Sequence, residues 1–135
     1  MIESVTNIDV RYYETDLMGI VHHSNYIIYF ECGRNQLIIY CGIPMPEIER
    51  RGIMLPVIDV KCHYYSPARF GDILTVKTVI DRIPMVKIEA KAEIRNQNGD
   101  LIVRGAVVLG TIDSQTRRPV RMPEFMREKL SKYFN

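Results

Sequence analysis

Tryptophan is absent from the 135 residues, and cysteine occurs only three times. Cys32, Cys41 and Cys62 are odd in number and form no CxxC or other metal-ligand spacing. That argues against a disulfide framework. It points instead to a reducing cytoplasm, with the cysteines serving as small hydrophobes in a core. No apolar run approaches the ~20 residues of a bilayer-spanning helix. The opening residues MIESVTNIDVRYY lack a basic segment followed by an apolar one, so no signal peptide is expected. An excess of one charge is missing too: 18 Lys and Arg stand against 16 Asp and Glu, a net charge of +2. This balance excludes the dense basic surface of a nucleic-acid binder, yet leaves arginines for a small phosphorylated ligand.

The chain does have enough apolar residues for one core. Hydrophobic residues make up 47% and charged residues 25%, the composition of a globular domain, here spanning residues 1–135. Alternation over residues 5–13 predicts a half-buried strand with Ile8, Val10 and Tyr12 on one face. Ser24 reads as a helix N-cap, and the helix runs to about Cys41, where Gly42 and Pro44 stop it. Its apolar residues occupy most of the circumference, which requires burial on most sides. Further strands are expected over 53–65, with Ile58, Val60, Cys62 and Tyr64 on one face, and around Leu74, Val76, Thr78 and Ile80. Val86–Arg95 alternates most cleanly, favouring an antiparallel sheet. Asn98-Gly99 predicts a hairpin, since both residues tolerate positive φ. Residues 101–112, apolar on both faces, belong at the centre or at an interface, and Pro123–Tyr133 reads as a terminal helix. The order is strand, long helix, then four strands in a meander, an α+β class. Five strands cannot cover such a helix fully, so a second copy is expected over the remainder, as a homodimer or a homotetramer built as a dimer of dimers.

The chemistry concentrates in YYETDLMGIVHHSNYIIYFECGR, residues 12–34. A carboxylate, a glycine turn, two histidines and a helix start lie within about ten residues. A helix start offers unpaired amides and a positive dipole end. These suit the oxyanion formed when a thioester carbonyl is attacked, and a nearby carboxylate can attack directly or activate water.

This stretch resembles the 4-hydroxybenzoyl-CoA thioesterase family of hotdog proteins, including the small bacterial acyl-CoA thioesterases associated with the Tol-Pal envelope system. TDLMGIVHHSNY is similar to the family signature and LPVIDVKCHYYSPARFGDIL to its second and third strands. EIRNQNGDLIVRGAVVLGTID is similar to the last hairpin and RRPVRMPE to the C-terminal segment. The resemblance implies an antiparallel sheet of five or six strands wrapped around a long central helix. It also implies hydrolysis of acyl-CoA, or of an acyl-carrier-protein thioester, with no cofactor.

By this resemblance Asp16 is the catalytic carboxylate, either a nucleophile or a general base; read alone, it is a turn residue bonding nearby amides. His23 corresponds to the histidine at the helix start that polarises the carbonyl; its alternative is a capping or packed residue. Val21, His22, Ser24, Asn25 and Tyr26 fall on the substrate-binding segment. His22 departs from the aromatic residue usual there, and adjacent side chains are expected to diverge, so His22 and His23 do not act together. A metal held by the histidines and Asp16 has no supporting spacing. Glu31 reads as an ion-pair partner of Arg34. Arg69, Arg82 and Arg118, with Arg117 and Arg121, are candidates for the coenzyme A phosphates. The alternatives are a hotdog dehydratase or hydratase, and a non-catalytic acyl-CoA or acyl-carrier-protein binding module. A scaffold using Tyr12, Tyr13, Tyr64 and Tyr65 for stacking ranks below both.

Overall fold

The computed structural model describes residues 1–134. Strand β1 (Ile2–Asp9) leads through a 3-10 turn (Tyr12–Glu14) to helix α1 (Asn25–Tyr40) and the short α2 (Met45–Arg50). Then come β2 (Ile53–Met54), β3 (Val57–Tyr64), β4 (Ile73–Ile80), β5 (Lys87–Arg95), β6 (Leu101–Gly110), β7 (Ile112–Asp113) and α3 (Glu124–Ser131). No helix among the described residues is long and apolar enough to cross a membrane.

Five strands form one sheet in the order β1-β4-β5-β6-β3, every neighbour antiparallel. The expected four-strand meander is therefore corrected. Strands β4, β5 and β6 do form a meander, but β1 takes the free edge of β4 over eight paired residues. Strand β3 is left the opposite edge, beside β6. As expected for its two apolar faces, β6 lies inside the sheet.

The first strand starts earlier than its alternation indicated and stops at Asp9. Val10 stays inside, but Tyr12 and Tyr13 leave the sheet and are exposed. Glu14 causes the break: its side chain accepts the Arg11 amide at 2.8 Å, and its own amide bonds Arg11 O at 3.0 Å, closing a turn. Helix α2 was hidden by its prolines, because Pro46 in the first turn starts a helix as readily as Pro44 ends one. The Asn98-Gly99 hairpin is a wider loop in which only Gly99 has positive φ (81°). Asn96 Oδ1 holds this loop by accepting the amides of Asn98 and Asp100 at 2.9 and 3.0 Å. Of the cysteines, Cys41 is in the core, Cys62 is half-buried and Cys32 is exposed on α1.

Helix α1 lies across β1, β4 and β5. Its Tyr26, Tyr29, Phe30, Gly33, Leu37 and Ile38 are buried. Opposite them lie Leu74, Val76, Ile80, Ile88 and Ile94, each almost wholly inaccessible. Burial of each such side chain contributes about 1.5–3 kcal/mol. Two glycines set the approach. A Cβ on Gly33 would lie 2.5 Å from Thr78 Oγ1 and 2.8 Å from Val76 Cγ1. A Cβ on Gly105 would meet the Lys61 carbonyl and the Phe30 ring. The helix thus sits as low on the sheet as backbone allows, but its far side is open: Ile28, Ile39 and Tyr40 are exposed.

A Gly33→Val change should therefore overpack this contact and lower stability by about 1–3 kcal/mol in urea unfolding. Unfolding at the wild-type denaturant midpoint would show that the helix has room to rise.

Candidate active site

The segment joining the 3-10 turn to α1 doubles back on itself. Asp16 N–H donates to Ile20 O (2.8 Å) and Gly19 N–H to Asp16 O (3.0 Å). Gly19 takes φ of 78°, which few other residues tolerate. Asp16 Oδ1 accepts the amides of Met18 (2.8 Å) and Ile20 (3.4 Å). The turn-binding role foreseen for Asp16 is thus present, but it uses one oxygen. Among the described residues no hydrogen bond reaches Oδ2. Val21 N–H then bonds Ala68 O at 2.8 Å, stitching the segment to the connection ahead of β4.

Beneath this turn lies a residue that sequence reading passed over. Glu14 is buried (7% exposed), and its Oε1 accepts both Arg11 N–H (2.8 Å) and the Tyr29 hydroxyl (2.9 Å). Its carbonyl accepts His22 N–H (2.8 Å) and Asn25 Nδ2 (2.9 Å). One residue thereby ties the turn, the histidine segment and the second turn of α1 together. No local spacing announces it, because Tyr29 is fifteen residues away. Burial, and then the bond to Glu14, pushes the Tyr29 phenol well above its ordinary value. Burial also raises Tyr26, whose hydroxyl oxygen accepts Ala68 N–H at 3.2 Å.

A cavity of about 370 Å³ opens between the turn, the start of α1 and the end of β3. Asp16, Val21, His23, Tyr26, Tyr64 and Tyr65 are among its walls. Tyr64 O–H donates to His23 O at 3.3 Å, and its ring meets Tyr26 edge-on at 5.6 Å. The structure thus brings Asp16, His23, Val21 and Tyr26 to one space. His22, Ser24 and Asn25 stand behind its wall and do not line it. The expected divergence of the two histidines is corrected: their rings lie 4.2 Å apart and 31° from parallel. Ser24 causes this, bonding His22 Nδ1 through both its hydroxyl (2.8 Å) and its amide (3.3 Å). Ser24 occupies the N-cap position of α1, but its side chain makes no cap bond. The first amides of the helix are left without a side-chain partner.

The arginines are not gathered within the chain. Arg69 is adjacent, its backbone paired with Ile20 and its side chain exposed. Arg82 follows the other end of β4, roughly 25 Å away at the strand rise. Arg118, like Arg117 and Arg121, lies in the connection between β7 and α3. Arg34 has Glu31 at 3.8 Å, the pair read from their spacing, and burial lowers the pKa of its guanidinium. A shallow depression of about 500 Å³ on the outer sheet face is lined by Lys61, Lys77, Lys91 and Arg104. Lys91 and Arg104 are ion-paired with Asp81 and Glu93, so this is a solvated charged face. Among the described residues no three His, Cys, Asp or Glu side chains converge as a metal would require.

A half-buried carboxylate and a histidine lining one cavity beside an uncapped helix start are groups of the kind that can hold a carbonyl oxygen and deliver an attacking group to it. The sequence profile of the thioesterase-like superfamily matches residues 10–130. The chain belongs to the thioesterase-like superfamily. YneP of Bacillus subtilis (strain 168), which carries a provisional acyl-CoA thioesterase name, is 33% identical over 118 residues, 87% of this chain and 86% of its own. The Helicobacter pylori (strain J99) acyl-CoA thioesterase YbgC is 28% identical over 130 residues, 90% of this chain and 96% of that one. A DHNA-CoA thioesterase from Staphylococcus aureus superposes with a TM-score of 0.86 at 34% identity, covering 99% of this chain and 85% of that one. Hypothetical protein TT1821 of Thermus thermophilus superposes with a TM-score of 0.89 at 33% identity, covering 96% and 98%. The wrapped sheet and central helix are those of the hotdog fold.

Tyr29→Phe should cost about 1–2 kcal/mol, because it removes one of the two donors to a buried carboxylate. The fold favours the protonated phenol. The stability it lends is therefore full below the ordinary Tyr value of 10.0 and is lost as pH rises past it. Denaturant titrations at pH 8 and pH 11 should show a smaller alkaline loss in the variant than in the wild type.

Proposed function

We propose that the protein hydrolyses acyl-CoA thioesters to a free acid and coenzyme A. The observation that carries this is the shared cavity. Asp16, His23 and Tyr26 of the first turn of α1 all line it. The thioester carbonyl oxygen sits at that helix end beside His23, where amides and dipole favour the negative charge that develops. Asp16 then either attacks the carbonyl carbon, expelling the thiolate and forming a mixed anhydride, or takes a proton from an attacking water. The acyl-CoA thioesterase names of YneP and YbgC support the reaction. Within the superfamily, the 4-hydroxybenzoyl-CoA thioesterase-like branch with its Tol-Pal-associated members is our placement, and the cytoplasm our assignment of compartment.

The same reading requires a second copy. All of β3 but Cys62 is exposed, including the apolar Val57, Ile58, Val60 and Tyr64. An edge strand of this length with bare apolar side chains invites pairing with another strand. A two-fold dimer through β3 continues the sheet and sets one α1 beside the other, closing the cavity mouth at Tyr64. Arg69 is near this pocket, and a neighbouring copy is the source we assign for Arg82 or Arg118 at the coenzyme A phosphates. Acyl-carrier protein is the alternative carrier of the same thioester.

Asp16→Asn is the direct test. The amide keeps an oxygen to accept the Met18 and Ile20 amides, so the turn should survive while the charge is lost. Thiol release from a panel of acyl-CoA substrates should fall by about 10²–10³-fold with unfolding unchanged. Near-normal turnover would end the assignment. Separately, Val60→Lys should convert the dimer to a monomer in light scattering; an unaltered mass would remove β3 from the interface.

A further inference from the structure

Ser24 and His22 lie outside the cavity wall, yet their contacts are specific. His22 Nδ1 lies 2.8 Å from the Ser24 hydroxyl and 3.3 Å from the Ser24 N–H. Both ends of the His22 backbone are anchored as well, through N–H to Glu14 O (2.8 Å) and through O from Asn25 N–H (3.0 Å). An exposed imidazole held this way has lost its rotamer freedom. The His23 ring lies 4.2 Å from it, 31° from parallel. The His23 ring has no hydrogen-bond partner of its own among the described residues; Tyr64 bonds only its carbonyl. Other titratable groups bordering the same space are Asp16 from the turn, Tyr26 from α1, and Tyr64 and Tyr65 from the end of β3.

We propose that His22 is a positioning residue: Ser24 clamps it, and the face of its ring holds the His23 imidazole against the cavity. His22 touches no reacting atom. Its contribution is to spare His23 the entropy of finding its place in each turnover, a term that grows steeply with small misplacements. A flat ring of similar size would serve, and a small side chain would not. The kinetic half of this inference rests on the hydrolase reading; the geometric half does not.

The test compares His22→Ala, His22→Phe and Ser24→Ala in the full chain. Butyryl-CoA and benzoyl-CoA are the probes for kcat and KM. In parallel, the His23 ring protons are followed by carbon–proton correlation spectra and assigned with a His23→Gln variant. His22→Ala should lower kcat about tenfold while KM moves less than about twofold, and should shift the His23 ring protons downfield as the stacked ring is lost. His22→Phe should recover most of that rate and keep the protons near their wild-type positions. Ser24→Ala, which keeps the ring and the amide contact but loses the hydroxyl, should be at least as fast as His22→Phe. Wild-type kcat in His22→Ala, or His22→Phe as slow as His22→Ala, would overturn the proposal, as would His23 ring protons unmoved in His22→Ala. If the wild type cleaves no member of an acyl-CoA panel from short to long chain and aromatic, the hydrolase reading falls, and the ring shifts alone still decide whether the clamp exists.

Discussion

Everything at this site hangs from the buried carboxylate and carbonyl of Glu14. Its four hydrogen bonds come from the strand end (Arg11), the histidine segment (His22) and two turns of α1 (Asn25, Tyr29). A carboxylate this deep is costly to desolvate unless donors meet it, and breaking one donor leaves the rest of the cost in place. The turn bearing Asp16 therefore cannot drift from the helix without exposing or orphaning that charge. The two halves of the proposed chemistry, attacking group and oxyanion site, keep their separation for a structural reason that involves neither of them directly.

The helix is fixed in turn by what it lacks. Gly33 against Val76 and Thr78, and Gly105 under Phe30, let α1 settle onto the sheet until backbone meets side chain. The helix covers β1, β4 and β5 and leaves β3 exposed, with Tyr64 at its end lining the cavity. Close packing on one side and an open groove on the other have a single cause. The same geometry that buries Leu37 leaves Val60 and Ile28 exposed.

Much of the site could be read from residue order. The signature TDLMGIVHHSNY placed Asp16 after a strand and His23 at a helix start, and both face one cavity. The alternations of β4 and β5 marked their buried faces, because a strand half in water must repeat every two residues. Turn chemistry was less legible. The break after Asp9 depends on a Glu14 side chain reaching the Arg11 amide, and α2 starts on a proline that also reads as a stop. Ser24 looked like a cap because serine usually is one; here the hydroxyl pairs with His22 Nδ1 instead of accepting a helix amide, a competition that only coordinates resolve.

The sequence by itself determined the elements, the core-facing positions and the carboxylate beside a helix start, because periodicity and local hydrogen bonding act over a few residues. Only the tertiary structure decided which strand β3 joins, which polar groups share the cavity, that Glu14 rather than a catalytic candidate holds the site together, and that two adjacent histidines stack. Each of these depends on contacts between segments far apart in the chain, or on a competition between partners that spacing leaves open.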